Sequence, residues 1–173
     1  MKTAFLKLLF VAIPFFFISC DGDDDATLLT PDLIQGELDV ENESFIMTNL
    51  YKSKEDFFDS TRLTYNFATS SSRLYDNNVV KGNGAFITVQ FFYLDQLVAG
   101  VYPEGGNVNQ LPFCSVVIDT DLENEENTLL QFYSNAQTTV EDLQNGQQKI
   151  SFQGTVDPSG DMVEFAFTGD FSL

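Results

Sequence analysis

The chain has 173 residues, with 26 acidic side chains against eight basic ones, a formal net charge of −18, no histidine, no tryptophan and two cysteines. Without histidine there is no Ser-His-Asp or Cys-His catalysis and no imidazole metal site, and two cysteines are too few for a thiolate zinc site. A surface of this sign lacks the clustered Lys and Arg that phosphate contacts require, which argues against nucleic acid as a partner, and no P-loop or dinucleotide-binding glycine pattern is present.

Lys2 and Lys7 open the chain with positive charge, and Leu8 to Ile18 is an apolar run. A membrane-spanning helix needs roughly 20 apolar residues, so this run matches the core of a secretory signal peptide better than a span or a buried helix. It leads into Phe17-Ile18-Ser19-Cys20. That tetrapeptide resembles a bacterial lipobox, the site of the lipoprotein signal peptidase, with Phe17 where leucine is usual and the required small residue, Ser19, before the cysteine. The resemblance implies removal of residues 1–19 and a mature N-terminus at Cys20, carrying a diacylglyceryl thioether and an amide-linked acyl chain. Two or more chains hold a protein firmly at a bilayer where one holds it marginally.

Asp21-Gly22-Asp23-Asp24-Asp25 follows at once. It resembles the acidic export signal of surface-exposed lipoproteins of the Bacteroidota, which implies an outer-membrane, cell-surface location with Asp21, Asp23, Asp24 and Asp25 as the signal. A solvated linker has the same composition. The aspartate spacing also mimics part of a calcium loop, but the distal glutamate is not at the required offset. The expected organisation is a signal peptide over 1–19, an acidic tether over 20–33 and one domain over 34–173.

From Ile34 onward the pattern is that of strands. Leu33–Val40 and Ser44–Tyr51 predict a hairpin about Asn42. Lys52–Ser60, whose apolar content is only Phe57 and Phe58, reads as a short helical turn or a loop. Arg62–Thr69 alternates, with Leu63, Tyr65 and Phe67 on one face. Ser70–Gly84 reads as a polar connection. Ala85–Leu94 is apolar on both faces and predicts a central strand covered on each side. Leu97–Pro103 is a shorter partner. Pro112–Asp119 places Cys114, Val116 and Ile118 on one face, and an acidic loop runs from Asp119 to Asn127. Thr128–Ser134, Thr138–Gln144, Lys149–Val156 and Met162–Phe171 predict four more strands, with a tight turn at Asn145-Gly146 and a type I turn at Asp157-Pro158-Ser159-Gly160. In the last strand Val163, Phe165, Phe167 and Phe171 face the core, so the chain closes on an antiparallel meander.

The fold class is therefore all-β, an antiparallel β-sandwich or flattened barrel of about nine to ten strands. Thirteen of the eighteen phenylalanines lie beyond residue 19, which makes Phe the main filler of the core. The Cys20 tether, the Gly100-Val101-Tyr102-Pro103 strand end and the closing Phe165–Phe171 strand with Gly169 are similar to small lipid-anchored β-sandwich proteins of the Bacteroidota. That resemblance supplies no catalytic residue.

Few side chains suggest chemistry. With Cys20 lipidated, Cys114 has no disulfide partner, and in a strand it reads as a small buried hydrophobe. Asp119, Asp121 and Glu123 alternate along the acidic loop and suit a hard cation such as calcium, although the same residues serve equally as a solvated hairpin tip. Paired carboxylates could support glycoside hydrolysis, with Tyr51, Tyr65, Tyr75, Tyr93, Tyr102 and Tyr133 in place of the missing tryptophan platforms. The expected function is a non-enzymatic binding or interaction module, anchored to the membrane by its lipid and recognising a glycan or a protein. The alternatives are a structural or accessory component of a surface assembly and, less well supported, an acidic-residue hydrolase. No cofactor other than calcium is expected.

Overall fold

A computed structural model describes residues 26–57, 60–105, 111–120, 122, 129–130 and 133–173. Cys20 and Asp21, Asp23, Asp24 and Asp25 lie outside the described residues. The elements in chain order are β1 (Asp32–Val40), β2 (Glu43–Phe57), β3 (Ser60–Thr69), β4 (Arg73–Leu74), β5 (Val80–Lys81), β6 (Phe86–Phe92), β7 (Gly100–Pro103), β8 (Phe113–Asp119), β9 (Leu129–Leu130), β10 (Tyr133–Asp142), β11 (Gln148–Val156) and β12 (Met162–Gly169).

Ten of these strands form one antiparallel sheet in the order β7-β10-β11-β12-β1-β2-β3-β6-β8-β9, and β4 pairs with β5 alone. The large sheet curls until β7 returns beside β8, where Glu104 and Cys114 form a parallel bridge and the Gly105 amide donates to the Cys114 carbonyl at 3.1 Å. Nine strands thus make a nearly closed, flattened barrel, and β9 is a short addition past the end of β8. Closure leaves few exposed strand edges, which are otherwise templates for aggregation.

Strict alternation explains why the barrel has a dry interior. Along β12, Val163, Phe165 and Phe167 are buried while Met162, Glu164 and Ala166 are exposed. β8 buries Cys114, Val116 and Ile118, and β3 buries Leu63, Tyr65 and Phe67, as a period of two requires. Nine aromatic rings then run through the interior in successive contact. From one end the order is Tyr133, Phe152, Phe165, Phe167, Phe67, Phe171, Tyr65, Phe91 and Tyr102, with centroid separations of 4.1 to 6.0 Å. Among the described residues the interior is filled by side chains, as in other small barrels.

Three stretches differ from the expectations. Of the expected helical turn or loop at Lys52–Ser60, Lys52–Phe57 is instead strand, because β2 continues to Phe57 in register with β3, and Phe58 and Asp59 lie outside the described residues. What supports this half of β2 is the ladder itself and cross-strand charge, with Arg62 Nη2 2.7 Å from Glu55 Oε1. Ser70–Gly84 is a docked hairpin containing β4 and β5, not an open connection. Its Leu74 is buried against Tyr51, Ala68 and Phe86 on the outer wall of the barrel. The hydroxyls of Thr69, Ser71 and Ser72 all donate to the Asn83 carbonyl, at 3.1, 2.6 and 2.8 Å. The strands expected at Thr128–Ser134 and Thr138–Gln144 become the short β9 and the continuous β10, which carries a bulge between Ser134 and Gln137 with Asn135 at φ 53°.

Order also begins earlier than Ile34. β1 starts at Asp32, and Thr27–Leu29 is tied to the hairpin, with Leu29 N–H donating to Leu74 O at 3.0 Å and Asp76 N–H to Thr27 O at 3.0 Å. The Asn145-Gly146 turn is as expected, with Gly146 at φ 78°. The Asp157-Pro158 turn stands where expected, and its peptide bond is cis.

Candidate binding site

A filled interior leaves the two ends and the outer wall of the barrel as places for a ligand. At the end where β2 pairs with the start of β3 lies a cleft of ≈ 580 Å³. Four separate stretches line it: Lys52–Lys54 of β2, the Asp95–Leu97 loop, the β10–β11 turn with Asp142 and Gln148, and the segment from Asp170 to Leu173. Lys52–Lys54 come from within β2, while the other three stretches follow the ends of β6, β10 and β12. The volume falls within the range usual for small-molecule sites.

The floor is the Asp170–Leu173 segment, which leaves the ladder after Gly169 and crosses the mouth of the barrel. Phe171 is 1% exposed and drops into the interior, edge-on to Tyr65 and Phe67. The buried Tyr65 hydroxyl donates to the Phe171 carbonyl at 3.0 Å, and burial pushes its ionisation well above the usual tyrosine range. Lys52 Nζ donates to the carbonyls of Asp170 and Ser172 at 3.2 and 2.8 Å and lies 2.8 Å from Asp32 Oδ2. One lysine thus ties β1, β2 and the crossing segment together.

The walls present polar groups. Lys54 Nζ donates to the Asp95 carbonyl at 2.7 Å, which leaves two of its three protons for other acceptors. Asp95 Oδ1 accepts from the Thr61 hydroxyl at 2.9 Å, and Asp142 Oδ1 from Gln148 Nε2 at 2.8 Å. Asp170 Oδ1 accepts from the Ser172 hydroxyl and amide; those bonds, with Lys52 nearby, hold its carboxyl below the usual aspartate range. Gln96 and Gln147 add amide groups, and Leu97 and Leu143 supply apolar surface.

No family model, curated protein or solved structure matches the chain. The site therefore rests on its own geometry.

Of the described residues expected from the sequence to form a site, Tyr65 alone lines this cleft. Asp119 ends β8 opposite Leu129, while Asp121 and Glu123 lie outside the described residues. Among the described residues no three His, Cys, Asp or Glu side chains come together as a metal site would require. The tyrosines mostly pack. Tyr65 and Tyr102 are core residues, and Tyr51 lies under the hairpin, where its hydroxyl accepts from the Leu74 amide at 3.4 Å. Tyr75 sits beneath Lys81, 5.5 Å from the ammonium to the ring centroid. Only Tyr93 counts as exposed among them; it has φ 65° and lies against Phe113. Cys114 is buried, and its thiol is pushed up by desolvation, as a structural cysteine should be. Sequence reasoning missed Lys54, Gln96 and Gln148, since only the closure of the barrel brings their three stretches together.

Proposed function

We propose that this chain is a lipid-anchored, surface-exposed lipoprotein of the outer membrane whose barrel is a non-enzymatic binding module for a hydroxyl-rich ligand, a glycan, held in the mouth cleft. The observation that carries the reading is the cleft itself, where ammonium, amide and carboxylate groups converge beside apolar surface from Leu97 and Leu143. Hydroxyl-rich ligands offer both donors and acceptors, and side chains such as Gln148, Asp142 and Lys54 match them from several directions. Binding is favoured over hydrolysis because Asp95, Asp142 and Asp170 each already accept a hydrogen bond from within the protein. Asp170 in particular is held ionised by its bonds to Ser172, so at neutral pH it carries no proton to give a leaving group.

Two measurements test this. Replacing Cys20 by alanine is expected to move the protein from the membrane fraction to the soluble fraction; retention in the membrane would refute the lipid anchor. In a glycan-array screen, Lys54→Ala and Gln148→Ala are each expected to weaken binding about tenfold, the effect of losing one strong hydrogen bond. The cleft reading fails if the array retains no protein, or if both variants bind as well as the parent.

A further inference from the structure

The barrel wall has a seam where little backbone pairing occurs among the described residues. Between β7 and β8 the ladder contact there is the Glu104–Cys114 bridge, beside which the Cys114 sulfur lies 3.6 and 3.7 Å from the Tyr102 and Pro103 carbonyls. Farther along β8, Ile118 and Asp119 pair with β9. Between these points the Val116 amide is met by a side chain: Glu104 Oε1 accepts from it at 3.1 Å. The other carboxyl oxygen lies 3.5 Å from the Cys114 sulfur, which is itself 3.1 Å from the Thr138 hydroxyl of β10. Glu104 therefore supplies a side-chain acceptor to a backbone amide of the wall, and buried backbone groups seldom go unpaired.

Among the described residues the titratable side chains gathered at this seam are Tyr102 of β7, Cys114 of β8 and Tyr133 of β10, and all three are neutral at ordinary pH. Burial raises the ionisation of Tyr102, Cys114 and Tyr133 alike, and the Glu104 charge raises that of Tyr133 further. No cation among the described residues bears on Glu104, and desolvation lifts its carboxyl from 4.5 to about 7 despite the bonds from Val116 and Cys114. An acid raised in the folded state favours folding while protonated. Its contribution is full below pH 4.5, falls through the interval up to about 7, and is lost above it.

We propose that Glu104 is a proton-operated latch on the β7–β8 seam. Neutral, it completes the wall of the barrel; ionised, it draws water between the two strands and lets β7 loosen from β8. The site is distinct from the mouth cleft, so the latch stands whether or not the cleft binds a glycan.

Hydrogen exchange on the full chain at pH 5.5 and 8.5, corrected for intrinsic exchange rates, tests the latch. The Val116 amide is expected to lose about tenfold more protection at the higher pH than Ile87 of β6 and Ile150 of β11, which register only the shared loss of global stability. Glu104→Gln keeps an acceptor for Val116 but cannot ionise, so its Val116 protection should match at both pH values. Equal loss in the variant overturns the proposal. So does a parent protein in which Val116 keeps its protection, or loses no more than Ile87, a comparison that needs no variant to fold.

Discussion

Replacing Gly36 by alanine is expected to destabilise the protein by about 3 kcal/mol, the upper range for forcing an extra group into a packed site. Gly36 of β1 lies opposite Phe167 of β12 and Met47 of β2, next to a bulge that begins after Leu33. A methyl group there would overlap the edge of the Phe167 ring and stand 2.5 Å from the Ala166 carbonyl oxygen. The obstacle is space, since the backbone there lies outside the left-handed region. Relief would require Phe167 to leave its stack or β12 to draw away from β1. A fall in the urea midpoint, followed by circular dichroism at unchanged slope, checks this. A midpoint like the parent's would mean that the ring does not lie over Gly36.

Phe67→Ala is expected to cost about 4 kcal/mol, within the range for deleting a buried aromatic ring. Phe67 is fully buried and stacks on Phe167 at 4.1 Å and 23°, with Phe171 edge-on at 6.0 Å. The loss includes the transfer of the ring, the hole it leaves and the ring contacts on both sides. Because Phe67 is the only link between Phe167 and Phe171 in the run of rings, its removal should also loosen the Asp170–Leu173 segment. Faster hydrogen exchange at Ser172 in the variant would report that coupling. Phe67→Leu should recover about half of the stability, because it restores most of the volume and none of the stacking.

The fold was largely legible in the sequence because most strands obey a simple rule. β12 and β8 alternate so regularly that their buried residues follow from the period alone, and the β10–β11–β12 meander is bounded by turn residues. The outer half of β2 was not legible, since cross-strand pairs such as Glu55 with Arg62 support it and these leave no apolar pattern. The hairpin was missed for a related reason: its apolar docking is chiefly Leu74, with Val80 beside it, within a run of serines and asparagines. Sites are harder still. Lys54, Gln96 and Gln148 come from three stretches that meet only once the barrel has closed. Glu104 follows the end of β7 and reaches the Val116 amide, a contact no local spacing encodes.

The order of strands has a consequence for how the chain reaches this state. β1, almost the first element formed, has β12 as one of its two partners, and Gly36 waits for Phe167. A chain emerging N-terminus first therefore cannot complete its wall until the last strand arrives. Loop-closure entropy makes such long-range pairing slow, on a scale of roughly milliseconds to seconds. Until then β1 has one open edge and half of the phenylalanine run lacks its neighbours. The protein needs its final strand before the first one is secure.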